Sequence, residues 1–216
     1  MRGVSDRARR RSLSVVFYWE RVRARLQALV LGMMLTVLVY AAEAAPVDYV
    51  FDTVHSRITF YISHWGFSHS VGFFKIGDGH FSFDANEWAL SAVDITIPVS
   101  SLDLGDATWN SNVLGLKWLD IAAYPTMRFV SKQVEGSPQG SGKIDGVLTL
   151  RGVTQPVALD LRLNQLGEHP MRKVPAVGFT ATTTIRRSDF GLQSSLGAVG
   201  DDVQIRIEVE ALASKP

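Results

Sequence analysis

From Tyr49 onward, apolar residues recur at every second position. Val203, Ile205, Ile207 and Val209 alternate with Gln204, Arg206, Glu208 and Glu210, and Val157, Leu159, Leu161 and Leu163 alternate with Ala158, Asp160, Arg162 and Asn164. A period of two requires a strand with one dry and one wet face, because successive side chains leave a pleated strand on opposite sides. The same alternation runs through Ile58, Phe60 and Ile62, through Phe81 and Phe83, and through Val93, Ile95, Ile97 and Val99. Weaker runs lie at Met127 to Val134, Lys143 to Arg151 and Val177 to Ile185, so that eight or nine strands are expected.

Turn residues separate these runs: Gly77-Asp78-Gly79, Asp84-Ala85-Asn86, Ser137 to Gly142 and Arg151 to Pro156. Short connections predict antiparallel neighbours, and a meander with one dry face must close into a barrel or stack as a sandwich to hide it. Helical periodicity is absent downstream of residue 44 except within residues 110–121, NSNVLGLKWLDI, where a short helix or a crossover loop is expected. Gly146, Ala181 and Thr183 fall on the dry parity and are expected to leave room inside a barrel.

The first 44 residues follow another pattern. Eight arginines precede the uncharged apolar run Ala28 to Ala42, and Ala42-Glu43-Ala44 ends it in the small-residue order of a secretory signal peptide. Cleavage after Ala44 is expected, leaving a domain of residues 45–216 in the periplasm. This segment holds 8 of the 22 basic and 3 of the 21 acidic residues, so the remainder carries a net charge of −4. That balance argues against a nucleic-acid partner. Cysteine is absent, which removes disulfides, thiolate nucleophiles and Cys-based metal sites.

Residues that could carry chemistry are few. The serines Ser100, Ser101, Ser194 and Ser195 lack a G-x-S-x-G elbow, and no acidic pair or phosphate-cradling glycine loop is evident. The chain therefore reads as a binding protein and not an enzyme, with no catalytic residues, cofactor or metal. Arg187 and Asp189 read as a structural charge pair at a barrel rim. His69 reads as part of a polar turn, His169 as part of a loop, and His55 and His80 as surface residues. His64 ends the dry parity of its strand, which leaves three readings open: a core imidazole satisfied by a carbonyl, a contact to a ligand headgroup, or a metal ligand.

A set of short motifs runs from end to end: Asp52-x-x-His55-Ser56, His64-x-Gly66, Gly72-x-Phe74, Gly79-x-x-Ser82-Phe83-Asp84, Ser101-x-Asp103-x-Gly105, Asp120-x-x-x-Tyr124-Pro125, Gly146-x-Leu148-Thr149-Leu150-x-Gly152 and Arg187-Ser188-Asp189-Phe190-Gly191. In their order and spacing these motifs resemble the YceI-like family of exported proteins, over roughly Tyr49 to Ala211. The resemblance implies an all-β fold, one antiparallel lipocalin-like barrel of eight strands or slightly more, with an internal apolar cavity. It implies a polyisoprenoid or other long-chain lipid as partner. One segment departs from the family pattern, with Asn112, Leu114 and Lys117 where His, Arg and Asp are usual, and Trp109 and Trp118 there point to an apolar mouth.

Parity and resemblance together place a ligand against Phe60, Ile62, His64, Phe74, Phe81, Phe83, Ile95, Ile97, Trp109, Trp118, Phe129, Leu148 and Phe179. The competing reading is a filled barrel that docks another envelope or membrane protein. A lipid-modifying enzyme is the third.

Overall fold

The computed structural model describes residues 45–214. The expected signal segment and the expected cleavage after Ala44 lie outside the described residues. Ten strands follow in chain order: β1 (Val47–Phe51), β2 (Arg57–His64), β3 (Ser68–Lys75), β4 (Gly79–Phe83), β5 (Ala92–Pro98), β6 (Thr126–Gly136), β7 (Ser141–Leu150), β8 (Val153–Glu168), β9 (Pro175–Arg186) and β10 (Val199–Ala213). Helix α1 (Ala107–Leu114) connects β5 to β6. Consecutive strands from β4 to β10 pair antiparallel, and β1 bridges β4 and β10, closing a barrel of eight strands.

The β2–β3 hairpin adds to the other half of the same β10 edge. Val199 to Glu208 pair with β2, and Ala211 to Ala213 pair with β1. At the changeover stands Glu210, whose backbone is held by the Asp52-x-x-His55-Ser56 motif. Its carbonyl accepts from Asp52 N at 2.8 Å and from Ser56 Oγ at 3.0 Å, and its N–H donates to the same hydroxyl at 3.0 Å. Ser56 is fully buried there. Two strands take turns along one edge, and this motif satisfies the backbone groups between them.

The outer edge of β3 is tied to the segment that follows β5. Phe73 and Asp103 exchange both backbone hydrogen bonds, at 2.9 and 3.0 Å, and Lys75 N donates to Ser101 Oγ at 3.1 Å. No free strand edge faces the gap between β3 and β5 at that point.

Several expectations are corrected. There are ten strands and not eight or nine, because β1 is short and β3 begins on Ser68, His69 and Ser70. His69 is consequently a strand residue. The helix begins at Ala107, earlier than expected, where Asp106 caps it by accepting from Trp109 N at 2.8 Å. The turn expected over Arg151 to Pro156 occupies only Arg151 and Gly152, both with positive φ (51° and 75°), which is the two-residue hairpin geometry that keeps strand twist. The β2–β3 tip is a three-residue loop, Trp65 to Phe67, in which Trp65 and Gly66 also have positive φ, 54° and 71°.

Candidate functional site: an apolar lumen with one wet end

Inward-facing residues surround a cavity of about 520 Å³ inside the barrel, within the range of small-ligand sites. All thirteen residues singled out from the sequence lie on its wall. Phe60, Ile62 and His64 come from β2, Phe74 from β3, Phe81 and Phe83 from β4, and Ile95 and Ile97 from β5. Trp109 comes from α1 and Trp118 from the loop beyond it, while Phe129, Leu148 and Phe179 come from β6, β7 and β9.

The two ends of the lumen differ. At the end holding the β4–β5 and β6–β7 connections, Trp88 closes the floor. Its ring centroid lies 5.3 Å from Phe83 and 5.9 Å from Phe179, and those two lie 5.0 Å apart, all edge to face. A Cβ on Gly136 or Gly142 would overlap the Trp88 ring, so these glycines make room for the plug. At the opposite end stand the β2–β3 tip, α1, the β7–β8 turn and the β9–β10 loop. His64, Trp109 and Asn112 line the cavity there and are also exposed to solvent. The lumen meets water between the hairpin tip and α1.

Gly146 does not enlarge the lumen as expected: the Phe129 ring lies over it and fills the place of its missing Cβ. Gly72 likewise lies beneath Phe60 and Leu104. Ala181 and Thr183 do face the cavity. Trp88 was not legible as a floor, since it follows a turn and belongs to no alternating run. Its one sequence signal is the glycine on each arm of the facing hairpin.

His64 is not a buried core imidazole. It is exposed, and its ring stands edge-on to Trp65 at 6.5 Å. The Arg187–Asp189 pair does not form either. Arg187 is only 3% exposed and lines the cavity. Its Nε donates to Gly200 O and its Nη2 to Val199 O, both at 2.8 Å, and Nη1 donates to Leu192 O. The Trp118 ring centroid lies 5.2 Å from its guanidinium carbon. Burial pulls the Arg187 pKa below the usual arginine range, partly opposed by Asp201. The rim ion pair is Arg186 with Asp201, Nε to Oδ2 at 3.1 Å.

Outside the barrel, Asp52, His55 and Glu210 bring ligand-type atoms within 4.8 Å of one another. Each is already partnered. Asp52 Oδ1 accepts from Val54 N and His55 N, its Oδ2 lies 3.0 Å from His55 Nδ1, and Glu210 Oε1 lies 3.2 Å from His169 Nε2. The hydrogen bond to His55 lowers the Asp52 pKa and raises that of His55. His80 is exposed beside Asp48 at 3.7 Å.

A family model described as YceI-like domain matches residues 49–211. A UPF0312 protein of Azotobacter vinelandii is 35% identical over 193 residues, 88% of this chain and 98% of that protein. One from Shewanella putrefaciens is 36% identical over 174 residues, 80% of this chain and 90% of the other. Among solved structures, Burkholderia cenocepacia BcnA superposes with a TM-score of 0.67 at 26% identity, over 74% of this chain and 99% of BcnA. A polyisoprenoid binding domain from Saccharophagus degradans superposes with a TM-score of 0.59 over 78% of this chain and 99% of that domain, at 12% identity.

Proposed function

Because this chain belongs to the YceI-like family, we propose that it binds one long apolar ligand, a polyisoprenoid or a similar lipid, in the lumen of its barrel, and acts as a carrier outside the cytoplasm. The observation that carries this reading is the 520 Å³ lumen itself, whose wall is built from inward-facing Phe, Ile, Leu, Val and Trp. Each buried CH₂ contributes about 0.8 kcal/mol, so part of a long chain offsets the ordering cost of binding. The Saccharophagus degradans domain, which shares the fold, is described as polyisoprenoid binding, and this supports the ligand class.

Two further features favour a carrier over an enzyme. Among the described residues, no Asp or Glu lines the cavity, so the wall offers no carboxylate for acid–base work. The polar side chains near the open end are those suited to orienting a headgroup. The Arg-rich and apolar order of residues 1–44 supports export, with the barrel released as the soluble carrier.

Native mass spectrometry of the exported protein, with organic extraction, tests the proposal. The expected result is a co-purifying lipid in one-to-one ratio. A protein recovered empty that takes up no added isoprenoid alcohol contradicts it and favours the filled-barrel docking module.

A further inference from the structure

The lumen wall carries a single fixed positive charge and, among the described residues, no carboxylate. That charge is Arg187, in the 3-10 turn Arg187–Phe190 that follows β9 at the open end. Its hydrogen bonds all go to neutral carbonyls, those of Gly200, Val199 and Leu192. A guanidinium has five N–H donors, so two remain beyond these three bonds, one on each terminal nitrogen. The carboxylate whose charge acts on Arg187, Asp201, is occupied: it accepts from Arg186 Nε, from Ser188 N at 2.9 Å and from Ser188 Oγ at 2.8 Å. No ion pair to Arg187 forms among the described residues.

A loop staple alone does not call for this residue. Carbonyls can be satisfied by neutral donors, whereas a guanidinium keeps its proton and must carry its charge into an apolar wall. Burying such a charge without a counter-ion is costly. Trp118 lies against the guanidinium and shields it further from water. What the arrangement lacks is an anion.

We propose that Arg187 is the headgroup anchor of the lumen: it takes the anionic oxygens of an amphiphile, a phosphate monoester or a carboxylate, while the apolar tail runs toward the Trp88 floor. The fork geometry of Arg suits both groups, which accept two parallel N–H bonds. Asn112 and Thr183, also on the wall, supply neutral polar contacts. The ligand class narrows from any long apolar molecule to an acidic amphiphile. This inference rests on the lumen being a lipid site, and its test keeps the two separate.

Binding of geranylgeranyl monophosphate is compared with that of geranylgeraniol, which has the same tail, on the delipidated protein by calorimetry. A long-chain fatty acid is compared with its alcohol in the same way. A charge-assisted hydrogen bond corresponds to a preference of about tenfold or more for the anionic member. Preference in one pair or in both supports the anchor and names its source, phosphate or carboxylate. Equal affinity within both pairs overturns the anchor while leaving the lipid lumen standing. Failure of all four to bind overturns the underlying lipid reading.

Arg187→Gln should lose the preference for the anionic member of each pair, with circular dichroism and a thermal melt reporting whether the barrel is intact. Arg187→Lys, which keeps charge but not the fork, should be intermediate. A persistent preference in Arg187→Gln overturns the assignment to this residue. The wild-type comparison stands even where the Gln variant fails to fold.

Discussion

At the scale of single residues, the aromatic side chains of the wall divide by what supports them. Phe83 is 3% exposed and packed edge to face on Phe179 and Trp88, so Phe83→Ala removes part of a tight floor. It should cost about 3–5 kcal/mol in unfolding free energy, read by denaturant titration. Phe60 is only half-buried, and its ring lies over Gly72. The atoms nearest to a Cβ on Gly72 belong to the Phe60 and Leu104 side chains, so Gly72→Ala should push those side chains into the lumen. We expect weaker uptake of a long isoprenoid alcohol with little change in melting temperature; unchanged uptake would show that this stretch of wall touches no ligand.

The Asp52–His55 pair gives a pH dependence with a defined sign. The pair raises the His55 pKa above its ordinary 6.5, so its contribution is full below that pH and is lost as pH rises through the raised value. The Asp52 pKa is lowered from 3.8, so its contribution is full above that pH and is lost on further acidification. Between these limits both are present. His55→Gln should therefore destabilise most between about pH 4 and 6.5 and progressively less above neutrality, measured by thermal melts across pH. A pH-independent difference would contradict the charged pair.

At the scale of elements, β10 is the organising strand, since it serves β9 on one edge and both β2 and β1 on the other. Ser56 bridges the changeover. Ser56→Ala leaves the Glu210 N–H without its partner in a buried position and should cost about 1–3 kcal/mol. Chemical denaturation checks it, and a neutral substitution would mean that the strand switch is held by Asp52 alone.

Much of this level was legible. Where one face is dry, parity marks the strand and its inward residues together, which is why β2, β4, β5, β8 and β10 and the lumen wall are legible in the sequence. The hairpin arm β3 was not, because its first half is polar and Gly72 interrupts its dry face. Contacts made at a distance were not legible either. Nothing local shows that Arg187 turns inward to three carbonyls while Arg186 takes the rim, since two adjacent arginines look alike until the loop that receives them is built. Gly146 looked like empty space for the same reason, its neighbour Phe129 being on another strand.

At the scale of the whole molecule, the barrel has a floor at one end and an opening at the other, and the proposal that it is exported carries its own test. N-terminal sequencing of the exported form should give Ala45 as its first residue; an intact Arg-rich terminus in the membrane fraction would favour an uncleaved anchor. If the ligand sits in the lumen, filling the lumen must expel it. Thr183 faces the cavity from β9, so Thr183→Phe places a ring in the space the ligand needs while leaving the outer surface unchanged. Calorimetric titration with geranylgeraniol should show one site per chain in the delipidated wild type and none in folded Thr183→Phe. Equal binding by the two proteins would put the ligand elsewhere and contradict the account.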